Sequence, residues 1–367
     1  MIWSLQVLRL VAALMVVYLH AALTAFQATG SSGVLPPEIQ IAGTAGVDIF
    51  FVISGVIITR TGRNLTWQQF AWKRLRRIVP IYYLASIPAA FVAAKAGFGW
   101  REVVTTITLW PALDVMTAPI LPVAWTLCFE MLFYGAATLV LFDRRFLPLL
   151  LGLFAISCAF RSAGPVFQFI GNPIIIEFLI GVALAFAPPF RAALWGIPLG
   201  ATAILIAGPL GITPFGDTID FLLGKEAFQR VLVYGVPAGL IVYGTMQVRA
   251  ERSIWTYLGD GSYTLYLFHT FPISLFLTLW NAFPLAPDII ILVGVIAAVL
   301  FSWRVYERVE RPLLEAIRRP RIGTIGAFDD QFPHRLSLPP TDGVGQFGLK
   351  KGEPRERLPD RRNVVDR

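Results

Sequence analysis

Long apolar stretches separated by short polar loops run from residue 3 to residue 306. The first, Trp3 to Phe26, reads WSLQVLRLVAALMVVYLHAALTAF. It is long enough to span a bilayer, which takes about 20 mostly apolar residues. Its core covers 7–26, and comparable stretches follow at 45–60, 78–96, 123–142, 147–162, 173–188, 192–210, 229–248, 262–281 and 287–306. Several are short for a helix perpendicular to the membrane. The pattern predicts an all-α polytopic membrane protein with about ten transmembrane helices. The stretch 101–122 holds TTITLWPAL but is interrupted by Pro111, Pro119 and Pro122. It reads as a loop or a shallow re-entrant segment, and the pattern alone does not separate that from a span.

Composition agrees with the pattern. The chain is 56% hydrophobic and only 15% charged, whereas a soluble domain carries about 25% charged residues. The first span is too long for a signal peptide and lacks a small-residue cleavage site, so it is expected to be retained. The net charge of +8 lies in the loops and the tail. Positive-inside bias and anionic lipids account for it there, so membrane lipids are the expected partner and nucleic acid is not. The two cysteines, Cys128 and Cys158, form no disulfide framework, and no metal-ligand spacing occurs.

The basic residues also orient the chain. One set of loops holds Arg60, Arg63, Lys73, Arg74, Arg76 and Arg77, then Arg144 with Arg145, Arg191, and Arg249 with Arg252. The opposite set holds only Arg101, Arg161 and Lys225, with Lys95 and Arg230 near span ends. The first set is therefore expected in the cytoplasm, and an even span count puts both termini there. Residues 1–318 form the transmembrane domain. Residues 319–367 turn to Pro, Gly, Asp, Lys and Arg and read as a disordered basic cytoplasmic tail.

Ionisable groups inside the spans carry the candidate chemistry. Arg9 and His20 are eleven positions apart, on nearly the same helix face and about 16 Å apart along the axis. An ionisable residue near mid-membrane is a functional candidate; a histidine hydrogen-bonded between helices is the structural alternative. The segment 64–78 is amphipathic, with Trp67, Phe70, Ala71, Leu75 and Ile78 on one stripe and Lys73, Arg76 and Arg77 off it. It reads as an interfacial helix, with Pro80 starting or kinking the next span. It holds more cations than an anchor needs, and with Arg9 on the same side it suggests a pocket for a polyanion.

The second span, GTAGVDIFFVISGVII, has Gly43, Gly46 and Gly55 for close helix packing, Asp48 near its outer end and Ser54 deeper. Glu130 sits about 8 Å in from Trp125, where a carboxylate must face protein or water, and Tyr134 is one turn further on the same face. Glu177 lies closer to a span end. His269 follows Tyr263 and Tyr266 in the ninth span and suits a structural or a site role equally. Glu307, Glu310 and Arg311 are expected to pair among themselves or with cytoplasmic arginines.

Six stretches, in order, resemble the integral-membrane acyltransferase family 3, which includes exopolysaccharide and O-antigen O-acetyltransferases. They are LQVLRLVAALMVVYLH, with Arg9 and His20; GTAGVDIFFVISGVII; FAWKRLRRIVPIYYL, with Arg74 and Arg77; WTLCFEMLFY, with Glu130; GDGSYTLYLFH; and VERP. They span residues 3–312. The chain is similar to the single-domain exopolysaccharide type, with no added hydrolase-like domain.

The resemblance implies transfer of an acyl group, usually acetyl, from cytoplasmic acyl-CoA to a hydroxyl of a cell-surface or lipid-linked carbohydrate. It implies a multi-pass protein of a bacterial inner membrane, with polysaccharide-synthesis machinery as a potential partner. Acyl-CoA is then a co-substrate, with no bound cofactor and no metal. On that footing Arg9, Arg74, Arg76 and Arg77 would bind the phosphates of acyl-CoA. His20 would act as general base or as a transiently acylated nucleophile. Glu130 would orient His20 or hold the sugar. Asp48, Ser54, Trp125, Tyr134 and His269 would support the site or the acceptor. The competing readings are a transporter or flippase of a lipid-linked glycan and a non-enzymatic partner in a synthesis complex. The acceptor, the acyl group, the direct or covalent route and the oligomeric state are not readable from the sequence.

Overall fold

The computed structural model describes residues 2–95, 97–214, 216–280 and 285–318, with the backbone alone at 276–280 and 318. These residues are helical throughout, apart from loops and one isolated antiparallel bridge between Ala112 and Met116. The main helices are α1 (Trp3–Thr29), α2 (Ala45–Gly62), α3 (Trp67–Ala93), α4 (Trp100–Thr108), α5 (Trp125–Phe142), α6 (Phe146–Ala159) and α7 (Ile175–Phe186). They continue with α8 (Gly196–Ala207), α9 (Val236–Gln247), α10 (Ser262–Phe268), α11 (Thr270–Trp280), α12 (Pro287–Val305) and α13 (Arg311–Arg318). The expected tail at 319–367 lies outside the described residues.

Helix α2 is the centre of the bundle, and its glycines explain why. A Cβ on Gly46 would lie 2.3 Å from the Ala12 carbonyl oxygen of α1, and one on Gly55 would lie 2.2 Å from that of Phe178 in α7. From the other side, a Cβ on Gly181 would lie 2.1 Å from the Val52 oxygen. Apolar burial does not drive helices together in lipid, so backbones that approach this closely gain dispersion contact instead. Helix α2 is thereby fixed between α1 and α7, with buried Val52, Ile53 and Val56 between the glycine contacts.

Among the described residues, seven helical stretches are long and apolar enough to cross a membrane: Trp3–Thr29, Pro37–Gly62, Trp67–Ala93, Pro122–Phe142, Pro165–Phe186, Ala227–Gln247 and Pro287–Ile317. The other three expected spans take different forms. Those at 147–162 and 192–210 are the shorter apolar helices Phe146–Ala159 and Arg191–Ala207. The one at 262–281 is interrupted at His269 between α10 and α11. Pro272 explains the break: it has no N–H for the Phe268 carbonyl, and its ring crowds that oxygen.

One local expectation is corrected. The segment 64–78 is not a separate interfacial helix. It is the first half of α3, a continuous 27-residue helix with Pro80 and Pro88 inside it. Thr66 and Gln69 form a capping box that fixes its start. Proline is tolerated in spans because neighbours re-satisfy the freed backbone groups; α3 is further tied to α10 where Tyr263 Oη donates to the Ile78 carbonyl at 3.0 Å. The stretch 101–122, expected as a loop or a shallow re-entrant segment, is not among the seven candidate spans of the described residues. It is the nine-residue α4 followed by a loop, tied down by Ile120 N–H donating to Thr106 Oγ1 at 2.8 Å.

Candidate active site

Arg9, Arg74 and Arg77 converge because α1, α2 and α3 bring one end of each together. They line a partly open cavity of about 70 Å³ together with Ser54, Glu130 and Tyr134. Arg9 is buried and donates to Gln6 Oε1 at 3.4 Å. Arg74 is buried too, bonded through one terminal nitrogen to Thr61 and set over the rings of Phe70 and Tyr134 at 5.3 and 5.6 Å. Its Nε has no partner among the described residues. Arg76 points elsewhere: it is half-buried and absent from the lining, as its 200° rotation from Arg74 on the helix requires.

Glu130 does not neutralise these arginines by direct pairing. It accepts hydrogen bonds from Tyr134 Oη and, at 3.4 Å, from Ser54 Oγ. The lining therefore holds three arginines against one glutamate, with the hydroxyls of Ser54 and Thr126 in a wall otherwise apolar or aromatic. Guanidinium groups in such surroundings suit phosphate, which they bind with paired charge-assisted hydrogen bonds.

His20 is not in that lining. It lies further along α1, and its ring meets His269 across the bundle. The two centroids are 4.8 Å apart, and His20 Nδ1 is 3.3 Å from His269 Nε2. The Nδ1 atom of His20 is also 2.9 Å from the Val16 carbonyl oxygen. His269 is fully buried. Tyr266 joins the two regions. It lines the cavity, its centroid is 6.2 Å from that of His269, and its ring packs edge-on against Phe50 at 5.9 Å. Its hydroxyl is fixed by Val123 O and Thr126 Oγ1, each at 2.9 Å.

Asp48 and Trp125 belong to a different cluster. Asp48 is not interfacial but completely buried. It forms a two-pronged ion pair with Arg230, at 2.9 Å to Nε and 2.8 Å to Nη2. Glu177 is buried against both, with Gly235 leaving room for its side chain. Trp125 and Phe221 stack at 5.0 Å and cover the Arg230 guanidinium at 5.8 and 4.7 Å.

Reading by charge count alone missed Arg230. A lone arginine beside an apolar stretch needs a buried partner, but nothing local in the sequence points to Asp48 as that partner. Cys128 is buried and back-bonds to the Ala124 oxygen at 3.7 Å, so its thiol faces its own helix. Glu310 bonds Thr264, and Arg311 pairs with Glu307 and Glu315. Among the described residues no group of His, Cys, Asp and Glu is arranged to hold a metal ion.

The chain is thus a bundle of apolar helices holding a cavity rich in arginine and a histidine pair deep in the helices. The chain belongs to acyltransferase family 3, whose acyltransferase domain matches residues 2–307; it is a multi-pass membrane acyltransferase. It is 33% identical over 313 residues to the exopolysaccharide production protein ExoZ of Rhizobium meliloti (strain 1021), covering 76% of this chain and 92% of that one. It is 25% identical over 277 residues to the peptidoglycan O-acetyltransferase OatA of Listeria monocytogenes serovar 1/2a, covering 62% of this chain and 44% of that longer protein. No solved structure matches the chain.

Proposed function

We propose that this protein transfers an acyl group, acetyl in the first instance, from cytoplasmic acyl-CoA to a hydroxyl of an exopolysaccharide or its lipid-linked precursor. The observation that carries the reading is the cavity with three arginines and one glutamate, opening at the end of the bundle where the basic loops cluster. Acyl-CoA offers several phosphates on a long thin arm that ends in a thioester. Arg9, Arg74 and Arg77 hold the phosphates, and the arm runs along the apolar wall toward Phe50 and Tyr266. The name of the ExoZ relative speaks of exopolysaccharide production and that of OatA of O-acetyl transfer. Both agree with a carbohydrate hydroxyl as acceptor.

The chemistry then falls to His20. An alcohol attacks a thioester poorly until its proton leaves, and a neutral imidazole suits that role near neutral pH. His20 takes the hydroxyl proton as the oxygen–carbonyl bond forms. The carbon–sulfur bond breaks, and the proton passes to the departing thiolate. Phe50 and Tyr266 stand between cavity and histidines, so the thioester passes them to react. In this reading the basic loops and both termini are cytoplasmic, the membrane is a bacterial inner membrane, and the acceptor arrives from the other side. Family membership speaks against a glycan flippase.

The test uses the full chain in lipid nanodiscs with acetyl-labelled acetyl-CoA and base-deacetylated exopolysaccharide from the producing cells. Label on the glycan as a base-labile ester is expected. Glycan movement without label would return the protein to the carrier class.

A further inference from the structure

The hydrogen bonds of the histidine pair fix where its protons are. His20 Nδ1 faces the Val16 carbonyl at 2.9 Å, and His269 Nδ1 faces the Tyr266 carbonyl at 2.8 Å and that of Leu265 at 3.2 Å. Carbonyl oxygens only accept, so each imidazole carries its proton on Nδ1. His269 Nε2 is then a bare lone pair, and it lies 3.3 Å from His20 Nδ1. It is an acceptor for the same His20 N–H that Val16 receives. The opposite tautomer of His20 would set two lone pairs against each other and leave the Val16 contact without a proton.

We propose that His269 is a positioning residue that, beside the Val16 carbonyl, holds His20 in the Nδ1–H tautomer so that His20 Nε2 is the free base. The proposal rests on His20 being the general base. It gives His269 the part that a carboxylate plays in a hydrolytic triad. As His20 gains the substrate proton on Nε2, its Nδ1–H becomes a charged donor, and the bond to His269 strengthens during the transfer. Glu130 is not needed for this: its hydrogen bonds go to Tyr134 and Ser54 in the cavity. His269 can be rigid because it is fully buried at the helix interruption, where its side chain back-bonds to α10 residues on two carbonyls. The proton count is unchanged through the step: one proton moves from hydroxyl to His20 and on to the thiolate, while His269 keeps its own.

The chain has three histidines, His20, His269 and His334, so imidazole-15N NMR of the full chain in nanodiscs resolves each after single substitutions. The expected result is Nδ1–H for both His20 and His269. A proton on His20 Nε2 would overturn the proposal without touching the assignment of the enzyme.

Kinetics give the second arm, with acetyl-CoA and base-deacetylated exopolysaccharide as probes. His269→Gln places an amide oxygen where Nε2 stood; His269→Met fills similar volume without a comparable acceptor. Met should lower kcat about 10- to 100-fold, the worth of one hydrogen bond to a charged donor, with the KM for acetyl-CoA unchanged. Gln should restore most of the rate. Equal losses in both variants, or none in either, would refute the role. Full transfer by His20→Ala would instead remove the proposed mechanism, so the two failures are distinct.

Discussion

Two clusters of arginine and carboxylate lie within the helices, and they are built in opposite ways. In the cluster of Asp48, Arg230 and Glu177, one arginine meets two carboxyl groups, the ion pair has both prongs bonded, and aromatic rings close over it. In the cavity, Arg9, Arg74 and Arg77 outnumber Glu130, which is bonded to hydroxyls instead. A buried ion pair that is matched holds helices in register. The cavity arginines are answered through space by Glu130, and Arg9 also by Glu310 and Asp260, so their affinity for an outside anion comes from three guanidinium groups sharing one opening rather than from a sealed, two-pronged pair. A charge inside an apolar span therefore does not by itself identify a functional residue; whether it is sealed in a closed pair or left beside an opening does.

Substitutions should separate the two clusters, beginning with the sealed one. Arg230→Met strands two carboxyl groups in the interior, a loss on the order of 3–5 kcal/mol. Thermal unfolding in nanodiscs should show a sharply lowered midpoint or no folded protein. A wild-type midpoint would mean that the cluster is hydrated and open.

The cavity arginines should behave in reverse. Arg74→Gln with Arg77→Gln relieves neighbouring like charges but loses the Arg74 contacts to Thr61, Phe70 and Tyr134, so the midpoint should fall far less than with Arg230→Met. Acetyl-CoA binding should weaken by at least about tenfold, since each charge-assisted hydrogen bond lost is worth roughly 1.5–3 kcal/mol. Arg76→Gln, outside the lining, should bind within about twofold of wild type by the same titration. Equal weakening by Arg76→Gln would replace the local pocket with a diffuse surface field.

A third, exposed pair supplies the floor of the scale. Arg101 and Asp114 are paired by hydrogen bonds, and the guanidinium holds the Asp114 carboxyl down to about 2. Any contribution to stability is complete above the ordinary aspartate range and is lost only as the pH falls through about 2. Asp114→Asn should leave the neutral-pH midpoint unchanged, because exposed pairs are screened by water and salt.

The sequence made some of this legible and not the rest, for physical reasons. Span periodicity located the helices, and small residues in the second span gave the close approaches of α2 to α1 and α7. Spacing along α1 and α3 put Arg9, Arg74 and Arg77 at one end. Pairings between distant segments were not legible. His20 and His269 are 249 positions apart, and Asp48 and Arg230 are 182; no local pattern records which side chains a bundle brings together. Pro80 misled the reading of α3 because a proline that stops a soluble helix is tolerated inside a span. Likewise the sequence places Asp48 only near a span end, and Arg230 on another helix is what makes it a buried ion.

The most direct measurement concerns His20 itself. His20→Ala, reconstituted in nanodiscs and checked for a wild-type thermal midpoint and acetyl-CoA affinity, should transfer no acetyl above the protein-free background. Transfer at a rate near that of the unaltered chain would contradict the account, because the hydroxyl proton would then have left by another route.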